Sequence, residues 1–426
     1  MKNDYSQLLI EIQKKSNITI SAIKDVKFLK EEIELVTSNK ISFNTLRRLY
    51  GFMTKTNPSK QTLDILSNYL GFNSYSNYLN KKSNYDEWYF QQNLLQIKKK
   101  NTIGESELQQ IKTGLQYEQS VVFYAYLVSY FIEKNKISTL IKLFSNIDLS
   151  IVSGTQLQKF NAIISTSLCV IPEKKALKVY AALIQYDDFR NNIPLLNIDY
   201  SGLHANYYKI LELIEQNNAN SSDVFFVSLM KMYKAFYIDT TTEQLPDLTK
   251  PKGFDHFFEV LKGRFYACSI MNNPHLIHKT KKEIELECTK NKVSLFLQEI
   301  IPTLIICNEF SFLKKILDLH YEEVFEHYVW SSSTTFSINL IGMANVNWYS
   351  KNTQMAKRNL ELVELENIEM GYSDYISMFY YLISLRISYS DNNKVDNSKS
   401  LKALQKLINK TKFIRFEEQA RGYILN

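Results

Sequence analysis

Chain-breaking residues are scarce here: 11 glycines and 7 prolines are spread over 426 residues. Average usage is about 7% glycine and 5% proline. Glycine is what lets backbone approach a phosphate or turn through positive φ, and all-β folds need a turn every 8–12 residues or so. The shortage therefore argues against nucleotide cradles, strand–turn–helix elbows and β-sandwiches. It favours long helices joined by short polar links. The apolar spacing agrees, with helical periodicity over Tyr117–Lys134, Glu173–Gln185, Leu203–Gln216, Phe254–Met271, Leu295–Cys307, Gln354–Asn367 and Tyr372–Ser388, among others. The expected fold class is all-α.

Apolar residues make up 45% of the chain, with 28 Tyr and 25 Phe, enough to bury a large core. The four cysteines, Cys169, Cys268, Cys288 and Cys307, are too far apart for a disulfide framework and read as buried free thiols in a reducing cytoplasm. The start carries no apolar leader pattern, and the longest apolar stretch, Val121 to Ile132, is too short to span a bilayer. A cytoplasmic protein without a membrane partner is expected. His275 and His278 lie near Cys268 and Cys288, yet no Cys-x-x-Cys or His-Glu-x-x-His frame supports a metal. No cofactor, metal or catalytic residue is expected, and the chain does not read as an enzyme. Aromatic clusters such as Phe225-Phe226 and Phe379-Tyr380-Tyr381 read as core.

The net charge of +7 is unevenly placed. Residues 1–82 hold 13 Lys and Arg against 7 Asp and Glu, so nearly all the excess sits in the first fifth. These residues form a well-punctuated run of short helices. Val26, Leu29, Ile33 and Val36 share one face, Ser42 caps a helix from Phe43 to Tyr50 that Gly51 stops, and Ser59 caps another that Gly71 ends. The expected division is a module at 1–82 and a helical body at 83–426.

The basic stretch within the module carries the functional signal. Asn44, Arg47 and Arg48 share one face of the short helix, with Ser42 and Phe43 at its start. From Lys40 to Lys60 there are five basic residues, Lys40, Arg47, Arg48, Lys55 and Lys60, and no acid. Arginine reads guanine and asparagine reads adenine in the major groove, while lysines hold phosphates. Ser42 and Ser59, at two helix starts, add phosphate-binding hydroxyls.

Residues 25–80 resemble the second half of the helix-turn-helix domain of the Cro/C1-repressor class. Ser42, Thr45, Leu46, Gly51, Pro58, Ser59, Thr62, Leu63, Leu70 and Gly71 match its pattern. The stretch is similar still more to an N-terminal module of helical proteins from Bacteroidetes-type bacteria. Two departures stand out. Val36 and Lys40 replace the usual Ala-x-x-x-Gly, with Asn39 available for a left-handed turn, and the loop from Gly51 to Pro58 is about three residues longer than usual. The resemblance implies binding of double-stranded DNA through Lys40, Ser42, Phe43, Asn44, Arg47, Arg48, Lys55, Ser59 and Lys60.

The body reads as an irregular α-solenoid of helix pairs, similar to tetratricopeptide repeats at Pro172–Tyr180 and Met355–Val363 but without a fixed period. By analogy with peptide-responsive regulators, the expectation is a DNA-binding regulator whose body dimerises or senses a peptide or protein. The alternative is a helical interaction scaffold that does not touch DNA.

Overall fold

The computed structural model describes residues 5–54, 56–83, 87–100, 102–117, 120–217, 221–239, 248–272, 277–290, 292–325 and 332–425. The described residues are helical or irregular, with no strand. They fall into two units, Met1–Asn93 and Leu94–Asn426. The division lies inside a helix, eleven residues past the boundary expected from sequence.

The first unit holds α1 (Ser6–Ser16), α2 (Ile23–Thr37), α3 (Phe43–Leu49), α4 (Lys60–Tyr69) and α5 (Tyr75–Ser83). Leu8 and Ile12 of α1, Val26, Leu29 and Ile33 of α2, Leu46 of α3 and Leu66 of α4 are all sealed in one core. Val36 does not join them and is 53% exposed. The α2 stripe ends at Ile33 because the chain turns away directly after Thr37. Asp25 caps the start of α2 by accepting the Ala22 N–H at 2.7 Å. Ser38, not Asn39, takes the left-handed conformation after α2 (φ 56°), and its N–H donates to the Glu34 carbonyl.

α3 and α4 end alike. The Phe52 N–H donates to the Arg47 carbonyl at 2.8 Å and the Phe72 N–H to the Ser67 carbonyl at 3.0 Å. Between them Gly51 and Gly71 turn through φ 83° and 95°, a conformation that penalises any side chain. Two of the rare glycines thus fix how the chain leaves the basic helix and the one after it.

After α6 (Glu87–Lys99), the second unit continues with α7 (Glu105–Gly114), α8 (Ser120–Glu133), α9 (Ile137–Asn146), α10 (Gly154–Val170), α11 (Glu173–Leu183), α12 (Asp187–Asn192), α13 (Asn206–Gln216), α14 (Ser221–Lys234), α15 (Glu259–Asn272) and α16 (Ile277–Cys288). It ends with α17 (Val293–Leu297), α18 (Ile300–Ile306), α19 (Phe310–Leu319), α20 (Tyr321–Val324), α21 (Ser332–Tyr349), α22 (Thr353–Glu361), α23 (Met370–Ser390), α24 (Lys394–Thr411) and α25 (Ile414–Ala420). No described helix is long and apolar enough to cross a membrane.

How a chain so short of glycine turns its helices is visible at four corners. Asn135, Asn308, Lys351 and Asn392 each stand just past a helix with φ between 52° and 63°. At each corner the next residue's N–H reaches back to close the helix end, at 2.9, 2.8, 2.8 and 2.8 Å respectively, and that same residue starts the following helix. Asparagine tolerates this conformation better than other side chains. The links that the sequence suggested are therefore helix ends and helix starts fused into one turn.

Four expected helices are interrupted: Leu203–Gln216 starts in a short turn, Tyr200–His204, that breaks before α13, and Phe254–Met271 in another, Phe254–His256, that breaks before α15. Leu295–Cys307 splits into α17 and α18 at Gln298-Glu299, where Pro302 has no N–H for the Gln298 carbonyl and its ring crowds that turn; both side chains at the break reach buried partners. Gln354–Asn367 stops at Glu361, and a separate short turn covers Leu365–Asn367.

Candidate nucleic-acid interface and an internal polar centre

α3 is seven residues long, about 10 Å at 1.5 Å per residue. Asn44 is exposed; Arg47 and Arg48 are half-buried. The Arg47 guanidinium lies 5.7 Å from the Phe43 ring and donates to the Asn44 side-chain oxygen at 3.4 Å. Asn44 and Arg47 are thus brought together as their spacing predicted, with Arg48 one turn along the same helix from Asn44. Phe43 does a second job, packing against the core below. Among the described residues, no ion pair engages Lys40, Arg47, Arg48 or Lys60. Lys40 and Ser42 are exposed in and after the turn from α2, and Lys60 is exposed at the start of α4. Ser59 is committed to its own helix: its Oγ accepts the Thr62 N–H at 3.2 Å. The Ser42 hydroxyl makes no such cap. Lys55 lies outside the described residues.

The second unit contains a centre that sequence reasoning missed. Glu299, at the break between α17 and α18, is fully buried. Its carboxylate accepts from Arg264 Nη2 at 2.8 Å, Tyr372 Oη at 2.9 Å, Tyr200 Oη at 2.6 Å and Tyr233 Oη at 3.2 Å. Four donors replace the water that this charge has lost, which is what a buried carboxylate requires. Burial, together with the carboxylate, holds the hydroxyls of Tyr200, Tyr233 and Tyr372 protonated far above the usual range. Two glycines permit the close packing. A Cβ on Gly263 would overlap the Phe296 carbonyl oxygen, and one on Gly371 the Ile198 carbonyl oxygen. A signal was present: Gln298-Glu299 interrupts the largely apolar run from Val293 to Ile306, where a polar pair must be satisfied internally.

Beside this centre lie two neighbouring pockets, the lobes of the cleft region, whose linings share Ala162, Asn197, Glu369 and Tyr372. The larger, about 450 Å³, is lined by Cys169, Tyr180, Asp199 and Tyr207, with Glu173 contributing to the lining. The smaller, about 220 Å³, is bounded by Phe226, Leu261, Leu295 and the Arg264 side chain. Partial burial raises the Asp199 carboxyl above the usual carboxylate range; desolvation by the surrounding protein does the same to the Glu369 carboxyl and pushes the Cys169 thiol up to about 11, although both residues are exposed at the pocket rim. Asn161, only 2% exposed, lines the smaller lobe with neither amide atom hydrogen-bonded.

His275 lies outside the described residues, and among those described no group of three or more His, Cys, Asp or Glu could hold a metal ion. Compared with known proteins, the chain matches no family model, no curated protein and no solved structure.

Proposed function

We propose that this chain is a cytosolic DNA-binding regulator, with residues 1–82 as a helix-turn-helix-like module and an irregular helical-repeat body that senses a ligand or dimerises. The observation that carries the reading is the unneutralised basic surface of α3. Asn44, Arg47 and Arg48 share it, no acid occurs from Lys40 to Lys60, and no described carboxylate pairs with its cations. A surface kept free of counter-charges suits a polyanion. The α2–turn–α3 arrangement, with both α3 and α4 stopped at a glycine, supports a helix presented for groove contact. The corners at Asn308, Lys351 and Asn392 recur at intervals of about forty residues, close to the period of helix-pair repeats, which supports the solenoid reading of the body. Regulation would follow ordinary linkage: a ligand favouring one conformation of the body changes the spacing of two DNA-binding modules.

The test is binding of genomic DNA fragments over a salt series. A steep fall of affinity with salt is expected, with a shallower slope and at least tenfold weaker binding in Arg47→Ala and Arg48→Ala. Weak binding left unchanged in both variants would overturn the reading.

A second reading, a protein-docking module on an interaction scaffold, is favoured by α2. Phe28 and Leu35 lie two turns apart on it and are 60% and 83% exposed. Loss of partner binding in Leu35→Asp with DNA affinity intact would assign the module to protein contact.

A further inference from the structure

The cleft beside Glu299 has an unequal charge balance. Among the described lining residues of the larger lobe there is no lysine or arginine, while Glu173, Asp199 and Glu369 contribute carboxylates. Glu173 is paired with Lys209 at 3.1 Å. Arg264, in the smaller lobe, is paired with Glu299 at 2.8 Å. Behind Asp199, Lys410 is paired with Asp374 at 2.7 Å. Asp199 and Glu369 are left without an ion-pair partner among the described residues. Asp199 accepts the Gly202 N–H at 3.1 Å, but a backbone donor does not cancel a charge.

The walls suit the same occupant. Tyr180, Tyr207 and Tyr372 line the larger lobe, and aromatic faces attract cations. The smaller lobe is apolar on the side of Phe226, Leu261 and Leu295. Asn161 also lines that lobe, its side-chain amide buried with an unmatched donor and an unmatched acceptor. A buried amide without partners is costly, and a ligand amide repays it on both sides. The Arg264 Nε is likewise buried and unmatched at the same wall.

We propose that this cleft binds an organic ammonium on an apolar body, the ammonium against Asp199 and Glu369 and the body in the lobe of Phe226 and Leu261. Such a group is found at the amino terminus of a short peptide with a bulky apolar side chain, and in simple arylalkyl amines. Asn161 separates the two sources, because only a peptide brings an amide to it. The inference rests on the sensing role proposed for the body and names the chemistry sensed.

Calorimetric titration of the full chain, without DNA, tests it. The probes are leucyl-phenylalanine amide, its N-acetyl derivative and 2-phenylethylamine. The free-amine dipeptide amide is expected to bind, and acetylation to weaken it at least tenfold. Glu369→Gln and Asp199→Asn should each weaken it about tenfold. If a peptide is the occupant, Asn161→Ala weakens the dipeptide but leaves 2-phenylethylamine unchanged; if a simple amine is, the two free amines bind alike and Asn161→Ala affects neither. Both results support an ammonium site. Ala162→Trp, at an exposed position shared by the two lobes, should abolish binding while the helical circular dichroism is kept. Equal binding of the acetylated probe, binding that survives Ala162→Trp, or no binding of any probe overturns the proposal. None of these results bears on Arg47 and Arg48, so a failure here is distinct from a failure of DNA binding.

Discussion

The Arg264 guanidinium donates to the Glu299 carboxylate across 2.8 Å, and both side chains are shut off from solvent. Removing one partner of such a pair leaves a charge buried without compensation, at a cost of about 3–5 kcal/mol. Glu299→Gln is therefore expected to destabilise the body by that order, measured by urea denaturation. Replacing both, as Arg264→Met with Glu299→Gln, should recover part of the loss. A single variant as stable as the parent would show that the pair contributes nothing.

The glycines after α3 and α4 give a second expectation. Gly51→Ala and Gly71→Ala force a Cβ into the left-handed region and should each cost about 1–2 kcal/mol. The opposite change at a body corner, Lys351→Gly, should add up to about 1 kcal/mol, since lysine gains nothing from φ 63° there. The midpoints of chemical unfolding report both. A stabilised Gly51→Ala would contradict the helix stop described for α3.

The two cleft acids predict a pH trend. Desolvation raises the carboxyls of Asp199 and Glu369 in the folded state. The folded protein therefore holds protons that the unfolded chain releases, so their contribution is complete in acid and fades as pH climbs above the ordinary carboxyl range. Glu369→Gln should flatten this decline in stability as pH rises above the ordinary carboxyl range. An identical pH profile in the variant would remove Glu369 as its source.

Cys169 offers a chemical reporter of the cleft. Against the expectation of a buried thiol it is exposed, because it stands at the rim of a pocket, yet desolvation holds it near 11. Alkylation follows the thiolate fraction, so the Cys169 rate should be very low at pH 7 and rise about tenfold per pH unit up to pH 10. Rapid labelling at pH 7, seen by peptide mass spectrometry, would show that the thiol is not held up.

Local order was legible in the sequence. The scarcity of glycine announced helices, and Ser59, Gly51 and Gly71 act as their spacing indicated, because capping depends on the nearest few residues. The surface formed by Asn44, Arg47 and Arg48 was legible for the same reason, since i, i+3 and i+4 on one helix are neighbours wherever that helix lies. Val36 failed because its burial depended on where the chain turned. Glu299 was out of reach for a larger reason. Its partners Tyr200, Arg264 and Tyr372 are brought to it by folding, and no window of sequence contains them together. Gly263 and Gly371 were not spent on phosphate loops but on letting backbone pass close to backbone beside the buried carboxylate.

Tyr200 reaches Glu299 across 99 positions of chain, and Ser201 bonds Asp374 across 173. A simple array of helix pairs can zip up from any neighbour and fray from either end. Here the middle of the body is tied to its far end, and loops of that length must close before the tie forms. The body should consequently fold slowly and lose its structure in a single step, with truncation after Glu361 undoing Tyr200 and Tyr233 as surely as the helices removed.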